Sequence, residues 1–300
     1  MSIVAVSGAV ALGLTLSACG SDTLGPQSPS GSSSGAGSQT TASADPALVA
    51  KVPAKIKAAG KIVVGTDASY APNEFIGTDG KTVEGMDVDL FNAVAAKFGL
   101  TVDYQNAGFD TIILGVNGGK YDIGVSSFTI NAKRKAEVNM VSYFNAGTQW
   151  VAKAGNPKKV DPENACGLTI GVQKGTVQDT DDLPARSKKC TDAGKAPISS
   201  VAQEKQDQVT ADLVSGKTDA MLADSPISLY AVKQTNGQLE AVGGIYDAAP
   251  YGFVVPKAET DFAKAIADAL TAMKTDGSYD ATLKKWGNDS GGIPSFAVNP

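Results

Sequence analysis

Apolar residues from Lys61 onward follow two alternating patterns, short continuous runs and helix-like spacing. The run 62–66 is rich in β-branched residues and predicts a strand, whereas 87–98 carries apolar side chains at helical spacing and stops at Gly99. Further strands are predicted at 101–105, 123–125, 168–172, 198–201 and 220–223, with helices at 110–116, at 204–215 and from Thr176. Strands that alternate with helices predict an α/β fold with mostly parallel sheets.

A Gly-Lys-x-Asp segment occurs twice, at 119–122 and at 216–219, each time directly before an apolar strand. Both copies place Gly where a helix would end. Because the copies stand at equivalent positions of two strand–helix blocks, we expect two related halves. Apolar stripes beyond residue 260 predict C-terminal helices that pack on the core.

Polar side chains stand at the carboxyl ends of the predicted strands. Asp67 follows the first strand, Ser126 and Ser127 follow the strand at 123–125, and Asp224 follows the last strand of the second block. Ligands of open parallel sheets bind beyond the carboxyl ends of the strands. These residues are therefore candidates for a binding site.

The N-terminal segment has a different pattern. Residues 3–16 form an apolar run that is too short for a membrane-spanning helix, which needs roughly 20 residues. The run leads into Leu-Ser-Ala-Cys, which resembles a bacterial lipobox, so 1–18 are predicted to be a lipoprotein signal peptide and Cys19 the lipidated residue. An ordinary cleaved signal with a chance cysteine is the alternative. Residues 19–48 are rich in Ser and Gly and predict a disordered tether.

Charge and residue usage exclude several classes of function. The formal net charge is −5 and no long basic run is present, which argues against a nucleic-acid partner. The sequence has no histidine, which removes Ser-His-Asp and Cys-His catalysis and the commonest zinc ligand. We therefore predict no catalytic residues, no metal site and no cofactor. With Cys19 assigned to the signal, Cys166 and Cys190 are left as an even pair and are predicted to form a disulfide.

Arg134 is the candidate partner for an anionic group. A guanidinium offers two parallel donors that match a carboxylate. A free amino acid carries both a carboxylate and an ammonium, so it needs a cation such as Arg134 and an anion such as Asp224. The alternative is a surface arginine within the basic cluster 133–135.

Five segments together resemble the polar amino-acid-binding proteins of ABC importers, solute-binding protein family 3. They are GTDASYAPNEF (65–75), GMDVDL (85–90), GGKYDIGVSSFTINAKR (118–134), IGVQKGT (170–176) and SGKTDAMLADSP (215–226). The resemblance runs from about residue 61 to residue 287. It implies a hinged, two-lobe periplasmic-binding-protein fold of type II, in which each lobe is a mostly parallel sheet flanked by helices.

The resemblance also implies roles for single residues. Arg134 would bind the ligand α-carboxylate with help from Thr129, and Asp224 would bind the α-ammonium. Ser127 would face both ends of the ligand, and the helix from Thr176 would offer its N-terminal amides to the carboxylate.

The remaining implied site residues have structural alternatives. Tyr70 and Phe109 would be aromatic walls beside the ligand side chain, but could be core aromatics. Asp67 would read the ligand side chain. Ser126 could simply end its strand, and Asp224 could be only a turn former.

The implied division places lobe 1 at 49–147 and 250–300 and lobe 2 at 148–249, with crossings near 144–150 and 247–252. A ligand that bridges two lobes favours the closed state. The implied protein is a monomeric extracytoplasmic receptor, anchored to the cell membrane by its N-terminal lipid, that delivers a free L-amino acid to an ABC permease.

Ligand preference is argued from the acidic residues of the site. Acceptors such as Asp67 favour glutamine, arginine or lysine over glutamate, which remains an alternative. Glu74 is expected to face solvent. Val177 and Asn73 replace a Thr and a Phe that are frequent in the family, and they leave the exact ligand open. An exported enzyme of the same fold, such as a dehydratase of amino-acid-like substrates, is the alternative from another class.

Overall fold

The computed structural model describes residues 44–300, and its elements follow the predicted alternation. The strands are β1 (Lys61–Thr66), β2 (Ser69–Tyr70), β3 (Glu74–Ile76), β4 (Val83–Glu84), β5 (Thr101–Asn106), β6 (Ile123–Gly124), β7 (Asn139–Lys153), β8 (Thr169–Gln173), β9 (Ser199–Gln203), β10 (Ala220–Asp224) and β11 (Leu239–Val255). The helices are α1 (Pro46–Ala50), α2 (Ala54–Ala59), α3 (Met86–Lys97), α4 (Phe109–Asn117), α5 (Ala132–Glu137), α6 (Leu183–Asp192), α7 (Gln206–Ser215), α8 (Ser225–Gln234), α9 (Thr260–Asp276) and α10 (Ser278–Trp286). A π-helical turn, Gln178–Asp182, precedes α6, and a 3-10 turn, Asp289–Gly291, follows α10.

The large sheet has the strand order β5-β1-β6-β11-β7-β10-β8-β9. Strands β5, β1 and β6 are parallel and form its first half; β10, β8 and β9 are parallel and form its second half. The long strands β7 and β11 lie between the halves and pair antiparallel with each other. A small antiparallel sheet, β2-β3-β4, stands apart. The predicted α/β fold with mostly parallel sheets is confirmed.

The two halves have separate apolar cores. Around the first half, α3, α9 and α10 cover the sheet with buried side chains that include Phe91, Phe262 and Leu270. Around the second half, Trp150 and Leu222 belong to a different buried cluster. The predicted C-terminal helices are confirmed as α9 and α10, whose apolar stripes face the first core.

The repeated Gly-Lys-x-Asp segments act alike in the two halves. Each begins just past α4 or α7 with a left-handed glycine, at φ 72° and 85°. The carboxylate of Asp122 accepts a hydrogen bond from the N–H of Val63 in β1 at 2.9 Å. That of Asp219 accepts from the N–H of Thr169 in β8, also at 2.9 Å. Both aspartates therefore tie the entry of one strand to the neighbouring strand.

The folded part of the chain begins before residue 48, where the predicted tether was expected to end. Helix α1 starts at Pro46, and the Asp45 carboxylate caps it by accepting a bond from the N–H of Ala47 at 2.8 Å. Leu48 is 6% exposed and packs in the core of the first half. The predicted signal peptide and Cys19 lie outside the described residues. No helix within 44–300 is long and apolar enough to span a membrane.

The predicted disulfide between Cys166 and Cys190 is confirmed, and it joins the segment before β8 to helix α6. Replacing both cysteines by serine is expected to lower the free energy of unfolding by about 3 kcal/mol, because the unfolded chain loses a loop constraint. Urea denaturation of the wild type and the double variant measures this difference. Equal midpoints and slopes for the two proteins would show that the bond is not stabilising.

Candidate functional site

Asp224 stands at the end of β10, and side chains from distant parts of the chain converge on it. The hydroxyls of Tyr70 and Tyr251 donate to its Oδ2 at 2.9 and 2.7 Å, and Gln178 Nε2 donates to Oδ1 at 2.8 Å. Burial raises the pKa of Asp224, and these three hydrogen bonds offset part of that rise. A buried carboxylate is thus held where the first half meets the second.

Arg134 lies opposite this carboxylate on the first half, and it is 9% exposed. Its guanidinium donates to the carbonyl oxygens of Thr129 at 2.8 Å and of Gly175, on the second half, at 3.1 Å. Burial lowers the pKa of Arg134 to about 10, while the negative charge of Asp224 opposes that change. The group is therefore charged near neutral pH, and its burial rules out an ordinary surface arginine.

The rings that flank Arg134 come from the first half. The guanidinium carbon lies 5.4 Å from the centroid of Phe109 and 5.6 Å from that of Phe128, and the two rings stack on each other at 4.6 Å. Cation–π attraction therefore helps to hold the guanidinium in place. Phe109 is the first residue of α4, so the start of this helix places an aromatic ring against the guanidinium of Arg134.

Asp67 follows β1 and connects both halves. Its Oδ1 accepts from the N–H and hydroxyl of Ser69 at 3.1 and 2.6 Å. Its Oδ2 accepts from the N–H of Phe109 at 3.0 Å and from Gln173 Nε2, on the second half, at 2.9 Å. Burial raises the pKa of Asp67. In this arrangement protein donors occupy both of its oxygens.

Ser126 and Ser127 follow β6, as predicted, and their hydroxyls reach buried acids. Ser126 Oγ accepts from the N–H of Asp67 and donates to Glu74 Oε1, both at 3.0 Å. Ser127 Oγ lies 3.1 Å from Asp87 Oδ2. Ser126 therefore does more than end its strand.

Glu74 does not face solvent, so that expectation was wrong. It is 0% exposed. In the β2–β3 pairing Glu74 stands directly opposite Tyr70, which is also buried. Residues directly opposite each other in a sheet share one face. The pairing therefore turns the carboxyl inward, toward Ser126.

Thr176 caps the turn that follows β8. Its hydroxyl donates to the carbonyl of Gln173 at 2.7 Å and accepts from the N–H of Asp179 at 3.3 Å. The helix expected from Thr176 begins two residues later, at Gln178, as a π-helical turn. Thr176 thus shapes the loop whose carbonyl at Gly175 receives Arg134.

The loop after β8 also touches helix α4 of the first half. Lys174 Nζ lies 3.0 Å from Asp110 Oδ2 and 2.9 Å from Glu204 Oε1. Gly175 has φ 78°, and a Cβ at this position would lie 2.8 Å from Asp110 Cβ. Only glycine fits this approach without strain. The halves are therefore closed on each other around the buried charges.

Residues outside the predicted set complete the site. Gln173, Gln178 and Tyr251 contact predicted site residues and are buried. Gln178 also donates to the hydroxyl of Thr148 in β7. Tyr251 lies inside the predicted crossing 247–252, which was the one signal available for it. Seven of the nine predicted ligand-binding residues are each joined to another of the nine by a hydrogen bond or a cation–π contact: Asp67, Tyr70, Phe109, Ser126, Thr129, Arg134 and Asp224. The other two, Ser127 and Thr176, hydrogen-bond to Asp87 and Gln173.

Comparison with known proteins identifies the family. The model of a family described as bacterial extracellular solute-binding proteins, family 3, matches residues 62–289. This chain belongs to that family. The predicted family is thereby confirmed. A curated member, the arginine-binding protein of Corynebacterium glutamicum, is 36% identical over 254 residues, which cover 85% of this chain and 83% of that protein.

Solved structures related to this solute-binding protein share its fold. An ancestral arginine-binding protein bound to arginine aligns with a TM-score of 0.69 at 33% identity and covers 76% of this chain and 98% of that one. An ancestral amino acid-binding protein, described as a precursor of cyclohexadienyl dehydratase, aligns with a TM-score of 0.70 at 30% identity and covers 77% and 97%. The predicted two-lobe fold is confirmed.

Proposed function

We propose that this solute-binding protein binds one free L-amino acid with a basic or amide side chain, of the arginine, lysine or glutamine type. The observation that carries the proposal is the pair of buried opposite charges, Arg134 and Asp224, held on the two sides of one junction. Arg134 binds the α-carboxylate by two charge-assisted hydrogen bonds. Asp224 binds the α-ammonium, so that one zwitterion satisfies both groups.

In this proposal, lobe 1 comprises 49–147 and 250–300 and lobe 2 comprises 148–249. Strands β7 and β11 connect the lobes and act as the hinge. The pairing of β11 with β7 is irregular between Val242 and Ala249 and again at Tyr251–Gly252, which supports bending there. The ligand contacts both lobes, so its binding energy stabilises the closed form.

The side chain of the ligand extends between Tyr70 and Phe109 toward Asp67. Asp67 is a buried carboxyl group, and in its ionised form it would repel the side chain of glutamate. A guanidinium, ammonium or amide can instead donate hydrogen bonds to this end of the cleft. The similarity to two arginine-binding proteins supports this choice.

Delivery of the amino acid to an ABC permease is part of the proposal. The protein acts outside the cytoplasm as a monomer, held at the cell membrane by a lipid on Cys19. The family description as extracellular and the Leu-Ser-Ala-Cys sequence support this placement.

We propose binding without chemical turnover. Similarity to a dehydratase precursor makes an enzyme of the same fold the competing hypothesis. The sequence has no histidine to act as a general base. Product analysis after incubation with a bound amino acid would expose an enzyme.

A thermal-shift screen of the twenty amino acids tests the proposal. At a free concentration one hundred times the Kd, a true ligand adds roughly 2.7 kcal/mol to the free energy of unfolding. Arginine, lysine or glutamine should raise Tm most, and glutamate should raise it least. If no amino acid shifts Tm, the proposed function is wrong; if glutamate shifts it most, only the side-chain assignment is wrong.

A further inference from the structure

Two carboxyl groups, Glu74 and Asp87, are buried together behind the candidate site, each with 0% exposure. Glu74 belongs to β3 and Asp87 to the first turn of α3. Among the residues that the structure describes, only neutral donors reach them. Ser126 donates its hydroxyl to Glu74, whereas the Ser127 N–H, at 3.0 Å, and the Tyr143 hydroxyl donate to Asp87 Oδ2.

The hydrogen-bond donors around Glu74 and Asp87 are too few to satisfy two ionised carboxylates. Ser127 Oγ lies 3.4 Å from Glu74 Oε2 and 3.1 Å from Asp87 Oδ2, but a hydroxyl has one proton and can donate to only one of them. It already accepts from Asn73 Nδ2 at 2.9 Å. Asp87 Oδ1 is buried and receives no donor from the described residues. One further proton would complete the cluster.

The described part of the chain forms no salt bridge to either carboxyl. Within 44–300, no Lys or Arg side chain hydrogen-bonds to Glu74 or Asp87. The neighbouring titratable groups that interact electrostatically with the pair include Asp67, Tyr70, Tyr104 and Tyr143. Each of them is an acid, so none can replace the missing cation. A buried carboxylate without a cation is costly, and neighbouring carboxyls then retain a proton.

The directions of the pKa shifts agree with a proton retained by this pair. Burial raises the pKa of Glu74 well above its ordinary value, and the negative charge of Asp87 raises it further. Burial raises the pKa of Asp87 to about 6, while hydrogen bonds from Tyr143 and Ser127 pull it down. Two interacting carboxyls of this kind titrate as a unit.

We propose that Glu74 and Asp87 share one proton, and that this carboxyl pair is the positioning element that holds Ser126 and Ser127 in place for ligand binding. Ser127 has φ 51°, which is unusual for a residue with a side chain. Its bonds to Asp87 from both the N–H and the hydroxyl maintain that conformation. The role in ligand binding rests on the proposed function, whereas the shared proton does not.

Infrared spectroscopy tests the shared proton directly. Near neutral pH the wild type should show the carbonyl band of a neutral carboxylic acid, and Glu74→Gln should lack it. Glu84→Gln is the matched control, because Glu84 is exposed on the neighbouring strand β4. The control should keep the band. Absence of the band from the wild type, or its survival in Glu74→Gln, would overturn the proposal.

The pH dependence of stability gives a second readout. The folded protein holds a proton that the unfolded chain releases near the ordinary Glu pKa of 4.5. The stabilisation from this group is therefore full below that value and is lost as pH rises toward the raised folded pKa. Denaturation midpoints of the wild type and Glu84→Gln should fall across this range, and those of Glu74→Gln should fall less. Parallel profiles would contradict the shared proton.

Ligand affinity tests the positioning role. Glu74→Gln keeps an acceptor for Ser126 and a donor for Asp87, so its Kd should stay within about threefold of the wild type. Glu74→Ala leaves the Ser126 hydroxyl without its acceptor and should raise Kd about tenfold. Wild-type affinity in Glu74→Ala would refute positioning. If Glu74→Ala does not fold, a Kd for Glu74→Gln more than tenfold above the wild type refutes it instead. If the wild type binds no amino acid, the positioning role is refuted together with the proposed function. The infrared result still decides whether Glu74 and Asp87 share a proton.

Discussion

Replacing Arg134 by alanine is expected to weaken amino-acid binding by at least about 100-fold and to leave the ligand-free fold intact. Removing one member of a buried, hydrogen-bonded charge pair costs roughly 3–5 kcal/mol, and each 1.4 kcal/mol is tenfold in Kd. The variant also loses the bond from the guanidinium to the Gly175 carbonyl, which joins the two halves. Isothermal titration calorimetry measures Kd, and circular dichroism checks the fold.

Two further variants separate charge from geometry at this position. Lys133→Ala removes the adjacent exposed cation and should bind like the wild type. Arg134→Lys keeps the charge but cannot make the two-pronged contact, so its Kd should fall between those of the wild type and Arg134→Ala. If Arg134→Ala binds as tightly as Lys133→Ala, the guanidinium does not hold the ligand carboxylate.

The architecture could be predicted because its signals are local. Apolar runs and helical spacing fixed the predicted strands and helices to within about two residues of their observed ends. The repeated Gly-Lys-x-Asp segments also carried real information, since Asp122 and Asp219 make the same contact to a neighbouring strand. The start of the fold was harder to place. Helix α1 is too short to show a helical repeat of apolar residues. It is held by Leu48, which packs in a core formed by segments far away in sequence.

The site was only partly predictable, because partner choice depends on contacts between segments far apart in sequence. Strand ends pointed to Asp67 and Asp224, but no local pattern shows that Gln178 reaches Asp224 across 46 positions. The inward turn of Glu74 follows from its pairing with Tyr70, which depends on the fold of the β2–β3 hairpin. Residue types at strand ends therefore locate a site better than they specify its hydrogen bonds.

Asp224→Asn is expected to raise Kd for the amino acid about 100-fold, since the ligand ammonium loses its anionic partner. Ligand-free stability should be equal or higher, because the variant no longer buries a carboxylate whose pKa is raised by burial. The hydroxyls of Tyr70 and Tyr251 can rotate to accept from the new amide. Calorimetry and thermal denaturation of the variant give the two quantities.

The pH dependence of affinity separates charge from shape at Asp224. Protonation removes the negative charge that binds the ammonium, so wild-type affinity should fall as pH drops through the raised pKa of this group. Asp224→Asn should lack this acidic loss of affinity. Asp192→Asn changes an exposed carboxylate on α6 in the same way and should keep the wild-type profile. Equal acidic profiles for Asp224→Asn and Asp192→Asn would mean that another group titrates, and the ammonium contact would then have to lie elsewhere in the cleft.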